Sequence, residues 1–266
     1  MPPIPAWRWP LIVLRGGLLL VTLVLGVVLT ALLRLLEQPV YGARRPLTPF
    51  VTVAVCRAAL VIIGLRVSCE GKVMRQRGAI VANHASWLDI FVLNARKRVY
   101  FVSKAEVANW PGIGVLARIT GTVFIARDRT QARAHLTLFE ERLIAGHRLL
   151  FFPEGTSTDG MRVLPFKTTL FQSFLNLNLS DDILIQPVSL SYFAPRSRDP
   201  RFYGWWGDMA FAAHLLQILA TLRQGCVKIT YHPAVKVSEF QDRKALARAL
   251  ETRVRAGLPK ARRRSA

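Results

Sequence analysis

Residues 78–94 read GAIVANHASWLDIFVLN, and the interpretation of this stretch decides the fold. The apolar run GAIVAN has the length and composition of a buried strand, whereas WLDIFVLN has the pattern of a helix. Ser86, between them, is placed to cap that helix. His84 and Asp89 are five positions apart, an advance of about 500° on a regular helix that leaves two side chains roughly 140° apart. They can meet if His84 stands in the loop before the helix, which is where the strand-loop-helix reading puts it. A histidine so placed, with a carboxylate in the first helical turn to fix its tautomer and stabilise its charged form, is how a general base is built. By itself, a His and an Asp at this spacing is more often structural than catalytic.

The same pattern continues outward. Short apolar runs at 79–82, 99–102, 123–126, 149–152, 183–190 and 227–231 read as strands, and longer helical patterns, notably 130–145, separate several of them. Strands alternating with helices predict an α/β fold, a mixed sheet flanked by helices. No internal repeat is visible.

Two further features bound the function. The 266 residues carry 37 Lys plus Arg against 16 Asp plus Glu, a net charge of +21, yet 52% of them are hydrophobic. Nucleic-acid binders are seldom this apolar, and no basic motif interleaved with aromatics is present, so a nucleic-acid partner is excluded in favour of an anionic membrane surface. The three cysteines, Cys56, Cys69 and Cys226, are scattered and lack metal-ligand spacing, which implies a reducing compartment without disulfides or zinc.

Residues 16–33, GGLLLVTLVLGVVLTALL, form an uncharged run of 18, about the minimum for a spanning helix. A cleaved signal peptide is the alternative, but no small-x-small cleavage site follows. Arg34, Arg44 and Arg45 after the run outnumber Arg8 before it, which places the bulk of the chain on the cytoplasmic side, in bacterial terms the inner membrane. A second apolar stretch, residues 50–65, is interrupted by Arg57 and reads as interfacial or re-entrant, paired with the first. The chain therefore divides into membrane-anchoring helices over 1–66 and a catalytic domain over 67–266. Near the end, Ser238 is a plausible cap for a basic amphipathic helix through residue 256. That helix and the tail KARRRSA offer either a solvated charged face or a contact for anionic lipid.

Three more stretches carry chemistry. FFPEGTSTDG, residues 151–160, runs from a strand into Glu154, Gly155 and small hydroxyl residues, presenting a carboxylate and backbone N–H groups at a strand end, where open α/β sheets bind ligands. An ordinary Pro/Gly turn reads the same way. GTVFIARD, residues 121–128, delivers Arg127 at a strand exit, where its fork of donors suits an anionic headgroup or simply faces solvent. Pro187 interrupts the apolar strand in IQPVSLSY, which suggests an edge strand or a pocket wall.

Taken together and in this order, these elements resemble the glycerolipid acyltransferase family, whose type member acylates 1-acylglycerol-3-phosphate. The family's N-H-x4-D pattern matches at Asn83, His84 and Asp89, its F-P-E-G-T block at Phe152 to Thr156, its strand-ending arginine at Arg127 and its late proline at Pro187. The resemblance spans residues 66–231. It implies transfer of an acyl group from an acyl-carrier-protein or coenzyme A thioester to a lysolipid hydroxyl, without metal or other cofactor. His84 would take the hydroxyl proton and Asp89 would orient the imidazole. Glu154 and Gly155 would hold the acceptor, with Arg127 and Lys167 as further contacts. Thr156 and nearby N–H groups would steady the acceptor or the developing oxyanion. Ser86 is read as a cap, not a nucleophile. Nothing in the sequence specifies an oligomeric state.

One departure bears on the acceptor. Phosphatidate-forming members commonly carry an arginine after F-P-E-G-T, but here Ser157 follows Thr156. Losing a charge-assisted contact to phosphate removes about 1.5 to 3 kcal/mol. The stretch TSTDGMRVLPFK together with YGWWGDM, residues 203–209, looks more like the bacterial branch that acylates lyso-ornithine lipid. Arg127, Arg162 and Lys167 keep a phosphate acceptor in view as the alternative.

Overall fold

The computed structural model describes residues 3–76, 78–110, 112–126, 132–177 and 183–260. Strand β2 (Gly78–Ala82) is buried at every position and runs through the loop bearing His84 into helix α3 (Leu88–Arg96), as the opening stretch predicts. Around it lie β1 (Arg66–Glu70), β3 (Tyr100–Lys104), β4 (Val123–Ile125), β5 (Arg148–Phe151), β6 (Leu184–Phe193), β7 (Cys226–Tyr231) and β8 (Val235–Lys236). Among the described residues these make an eight-stranded sheet in the order β1-β7-β6-β2-β5-β3-β4, with β8 beside the start of β6. Pairing is parallel except where β6 meets β7 and β8, so the sheet is mixed.

Alternate residues of the central strands feed two cores, as the period of two in a strand requires. Ile80 and Ala82 face α3 and the helices α1 (Trp9–Tyr41), α2 (Thr48–Ile63) and α7 (Phe211–Leu219). Ala79 and Val81 face α5 (Ala132–Ile144), α6 (Thr169–Leu175) and α8 (Arg243–Ala256). A strand covered on both faces reads as an uninterrupted apolar run. This is why β2 and β5 are plain in the sequence, whereas β1, exposed at four of five positions, is not.

The membrane segment differs from its expectation in extent. α1 runs for 33 residues, well beyond the 18-residue uncharged run, and α2 is a regular helix antiparallel to it. The carboxylate of Glu37 ties the turn between them by accepting from the Thr48 N–H and hydroxyl, at 3.0 and 2.8 Å. At Gly26 the helices approach so closely that a Cβ would collide with Val55. α1 also lies along the domain, because Arg15 donates to the Leu219 and Thr221 carbonyls near its start. Beyond its end, Arg45 donates to the carbonyl of Ile119, on α4 (Ile113–Thr120). The buried positions of α1, Ile12, Leu19, Gly26, Thr30 and Glu37, form one narrow seam. Leu18, Leu25, Leu32, Leu36 and Val40 are exposed along its length. So much contiguous apolar surface marks a membrane-associated chain.

Two other expectations are corrected. Pro187 lies in the middle of the sheet, in register with Val81 of β2, and not on an edge strand. Its carbonyl accepts from His232 N, in the gap where β7 has left β6 and β8 has not begun, so its missing N–H disrupts no ladder there. The cap of α8 is Asp242, which accepts from Lys244 N and Ala245 N, while Ser238 sits in a preceding 3-10 turn. The pairing of β8 with β6 has no counterpart in the sequence reading.

Candidate active site

The site forms at the carboxyl ends of β2 and β5, parallel neighbours in the sheet. Asn83, fully buried, ends β2 by donating to the Leu190 carbonyl and accepting from Leu190 N, at 3.0 and 2.8 Å. This clamps the next residue, His84, between β6 and the loop after β5. Asp89 opens α3 one turn later. Its Oδ2 lies 2.7 Å from His84 Nδ1 and accepts from the N–H groups of Ala85 and Ser86 at 2.8 and 3.1 Å. Its Oδ1 accepts from the Tyr192 hydroxyl at 2.6 Å. Burial and the Asp89 charge push the Tyr192 phenol well above its ordinary range, so it stays a donor. With a carboxylate at Nδ1, the proton of a neutral imidazole sits on Nδ1 and Nε2 is the free base. The ring is partly exposed and stacks flat on Phe152, centroids 4.0 Å apart.

Glu154 is buried beneath this loop. Its Oε1 accepts from His84 N and its Oε2 from Leu164 N, both at 2.6 Å. Burial raises its carboxyl to about 8 against those two donors. The side chain is 1% exposed, so it braces the backbone of His84 and does not open onto the surface. The His84 carbonyl is held in turn by the N–H and hydroxyl of Thr158, at 2.9 and 3.1 Å.

Gly155 has a φ of +72°, and a Cβ there would lie 2.8 Å from Lys167 Nζ. Its carbonyl accepts from Lys104 Nζ at 2.6 Å. Two ammonium groups therefore flank this turn, with Thr156 and Lys167 exposed beside it. Arg127 lies outside the described residues. Ser86 is buried and its hydroxyl accepts from Leu88 N at 3.3 Å, but the cap of α3 is Trp87, which makes no side-chain capping bond, so the expected Ser86 cap is corrected by one position. The segment quoted as YGWWGDM folds over the loop, where Trp205 N donates to the Ala85 carbonyl at 2.8 Å.

Sequence reasoning therefore brought together His84, Asp89, Glu154, Gly155 and Lys167 but missed Tyr192, Thr158 and Lys104. Thr158 lay inside a quoted motif. Tyr192 closes the quoted stretch IQPVSLSY and Lys104 lies in no quoted motif, and only the order of the strands brings either of them to the site.

The chain matches the family model described as Acyltransferase over residues 65–191. It is 54% identical to a lyso-ornithine lipid O-acyltransferase of Rhodobacter capsulatus, over 97% of this chain and 93% of that protein. With the protein of the same name from Brucella abortus it shares 38% identity over 75% of this chain and 78% of the other. The crystal structure of the 1-acyl-sn-glycerophosphate acyltransferase PlsC from Thermotoga maritima superposes with a TM-score of 0.59 at 20% identity, covering 91% of this chain and 95% of that one. That likeness carries the fold, and the sequence relatives carry the chemistry: the chain belongs to the acyltransferase family and is a membrane-associated acyltransferase of lipid biosynthesis.

Proposed function

We propose that this enzyme moves a fatty acyl group from an acyl-carrier-protein or coenzyme A thioester to the free hydroxyl of lyso-ornithine lipid. The observation that carries the mechanism is the Nδ1 to Asp89 contact of 2.7 Å, which leaves Nε2 of a partly exposed imidazole as the base. Nε2 takes the hydroxyl proton as the oxygen attacks the thioester carbonyl. Asp89 stabilises the imidazolium so formed, and the proton is returned to the departing thiolate. The acyl group passes directly to the acceptor with no acyl-enzyme, and no metal or cofactor takes part. Glu154 acts as a positioning residue for the His84 loop, while the Gly155 to Thr156 turn and Lys167 contact the acceptor. The enzyme works at the inner membrane with its domain in the cytoplasm, the side on which Arg34, Arg44 and Arg45 follow the apolar run.

The acceptor assignment is supported by the names of the relatives and by Ser157, which supplies no charge where a phosphate would need one. Lysophosphatidate is the second reading, favoured by the ammonium groups of Lys104 and Lys167 on either side of Gly155. The test offers both acceptors at equal concentration to purified enzyme in detergent, with each thioester in turn. Lyso-ornithine lipid is expected to be preferred. A tenfold preference for lysophosphatidate, about 1.4 kcal/mol in transition-state binding, reverses the ranking.

A further inference from the structure

A second site is built at the opposite end of the sheet, where β3 and β5 begin. A cleft of about 350 Å³ opens there between the α1–α2 turn and the strand starts. Arg44, Arg45, Arg98, Tyr100, His147 and Arg148 line it. None of its arginines lies within ion-pair distance of a carboxylate among the described residues. Two buried donors in its wall are unmatched, Nε2 of His147 and Nε of Arg148. His147 is 5% exposed and stacked on Tyr100, with ring centroids 4.0 Å apart. Its Nδ1 is 3.2 Å from Arg142 Nη1, which can only donate, so the ring proton sits on Nε2. Burial and the nearby arginines hold His147 down to about 4, so the ring is neutral at physiological pH. Buried donors left without acceptors are costly, and native proteins seldom keep two together without a use for them.

We propose that this cleft binds the phosphate of an acidic phospholipid headgroup. Arginine forks and neutral N–H donors suit a phosphate oxygen cluster. A lipid is favoured over a free anion by the surroundings, because Val40, Leu47 and Phe50 are exposed around the α1–α2 turn. The guanidinium of Arg98 lies over the Phe50 ring, 4.6 Å from its centroid. The cleft thus sits where apolar helix surface gives way to concentrated positive charge, at the level of a lipid headgroup. Occupancy joins the membrane hairpin, through Arg44 and Arg45, to the sheet, through Arg98 and Arg148. This site is separate from the acceptor site and does not depend on which lysolipid is acylated.

The test uses the full chain and the double variant Arg44→Gln/Arg98→Gln, both positions being exposed. Partition onto phosphatidylcholine vesicles is compared with partition onto vesicles that also contain phosphatidylglycerol. The variant should lose about tenfold or more of its partition onto the acidic vesicles. It should bind phosphatidylcholine vesicles as before and keep its turnover in nonionic detergent. An equal loss in Lys244→Gln/Arg248→Gln, which removes the same charge from α8, would mean diffuse attraction and overturn the proposal, as would no loss in the cleft variant. Inorganic phosphate provides the remaining arm. If it raises the unfolding temperature of the unmodified protein but not of the variant, while vesicle composition makes no difference, the cleft is a free-phosphate site and the lipid assignment fails.

Discussion

The hydroxyl of Tyr192 donates to Oδ1 of Asp89 at 2.6 Å across 103 residues of sequence, and both side chains are buried. This bond couples a strand in the middle of the sheet to the orientation of the His84 imidazole. Tyr192→Phe removes one donor to a buried carboxylate and should cost about 1.5 to 3 kcal/mol of stability. Turnover should fall by less than in a His84 variant, since three other donors still hold Asp89. Thermal unfolding and kcat measured on one preparation check both parts, and unchanged stability would mean that the bond is not made.

His84→Ala should lower kcat by about 10² to 10⁴, the range for loss of a general base, with little change in unfolding temperature. Near-normal activity in this variant would refute the dyad. Asp89→Asn should be milder. Its remaining oxygen can accept from His84, Ala85 and Ser86, and its amide can face Tyr192, whose hydroxyl can turn to accept.

Glu154 makes stability depend on pH. Burial raises its carboxyl from an ordinary 4.5 to about 8, so between these values the folded chain holds a proton that the unfolded chain has released. Its contribution is therefore full below about 4.5, declines as pH rises and is lost above about 8. Unfolding of the wild type and of Glu154→Gln, compared across that interval, should show the wild type losing ground to the variant as pH increases. A constant difference would mean that the carboxyl is not perturbed.

Gly26→Leu should loosen the helical hairpin. A side chain at this position meets Val55 on α2, and forcing extra carbons into a close contact typically costs about 1 to 3 kcal/mol. The expected outcome is a lower unfolding temperature in detergent with kcat at permissive temperature largely kept. Restored stability in Gly26→Leu/Val55→Ala would assign the loss to this contact.

The sequence by itself determined those parts whose signal is local. The burial of β2 on both faces produced an unbroken apolar run, and the five-residue spacing of His84 and Asp89 required a loop before α3. The length of the uncharged run before Arg34 marked a membrane helix. The tertiary structure alone decided the rest. Pro187 lies in mid-sheet because β7 and β8 leave a gap opposite it, an arrangement no pattern within β6 encodes. Glu154 reads as a motif residue open to substrate, yet both its oxygens are taken up by backbone N–H groups at positions 84 and 164. Tyr192, Lys104 and the arginines of the second cleft are brought together by the order of strands and by the return of α2 along α1. Short-range sterics and hydrophobic periodicity are written into neighbouring residues, but the partner of a buried polar group is settled only when distant segments pack and leave that group no water to bond.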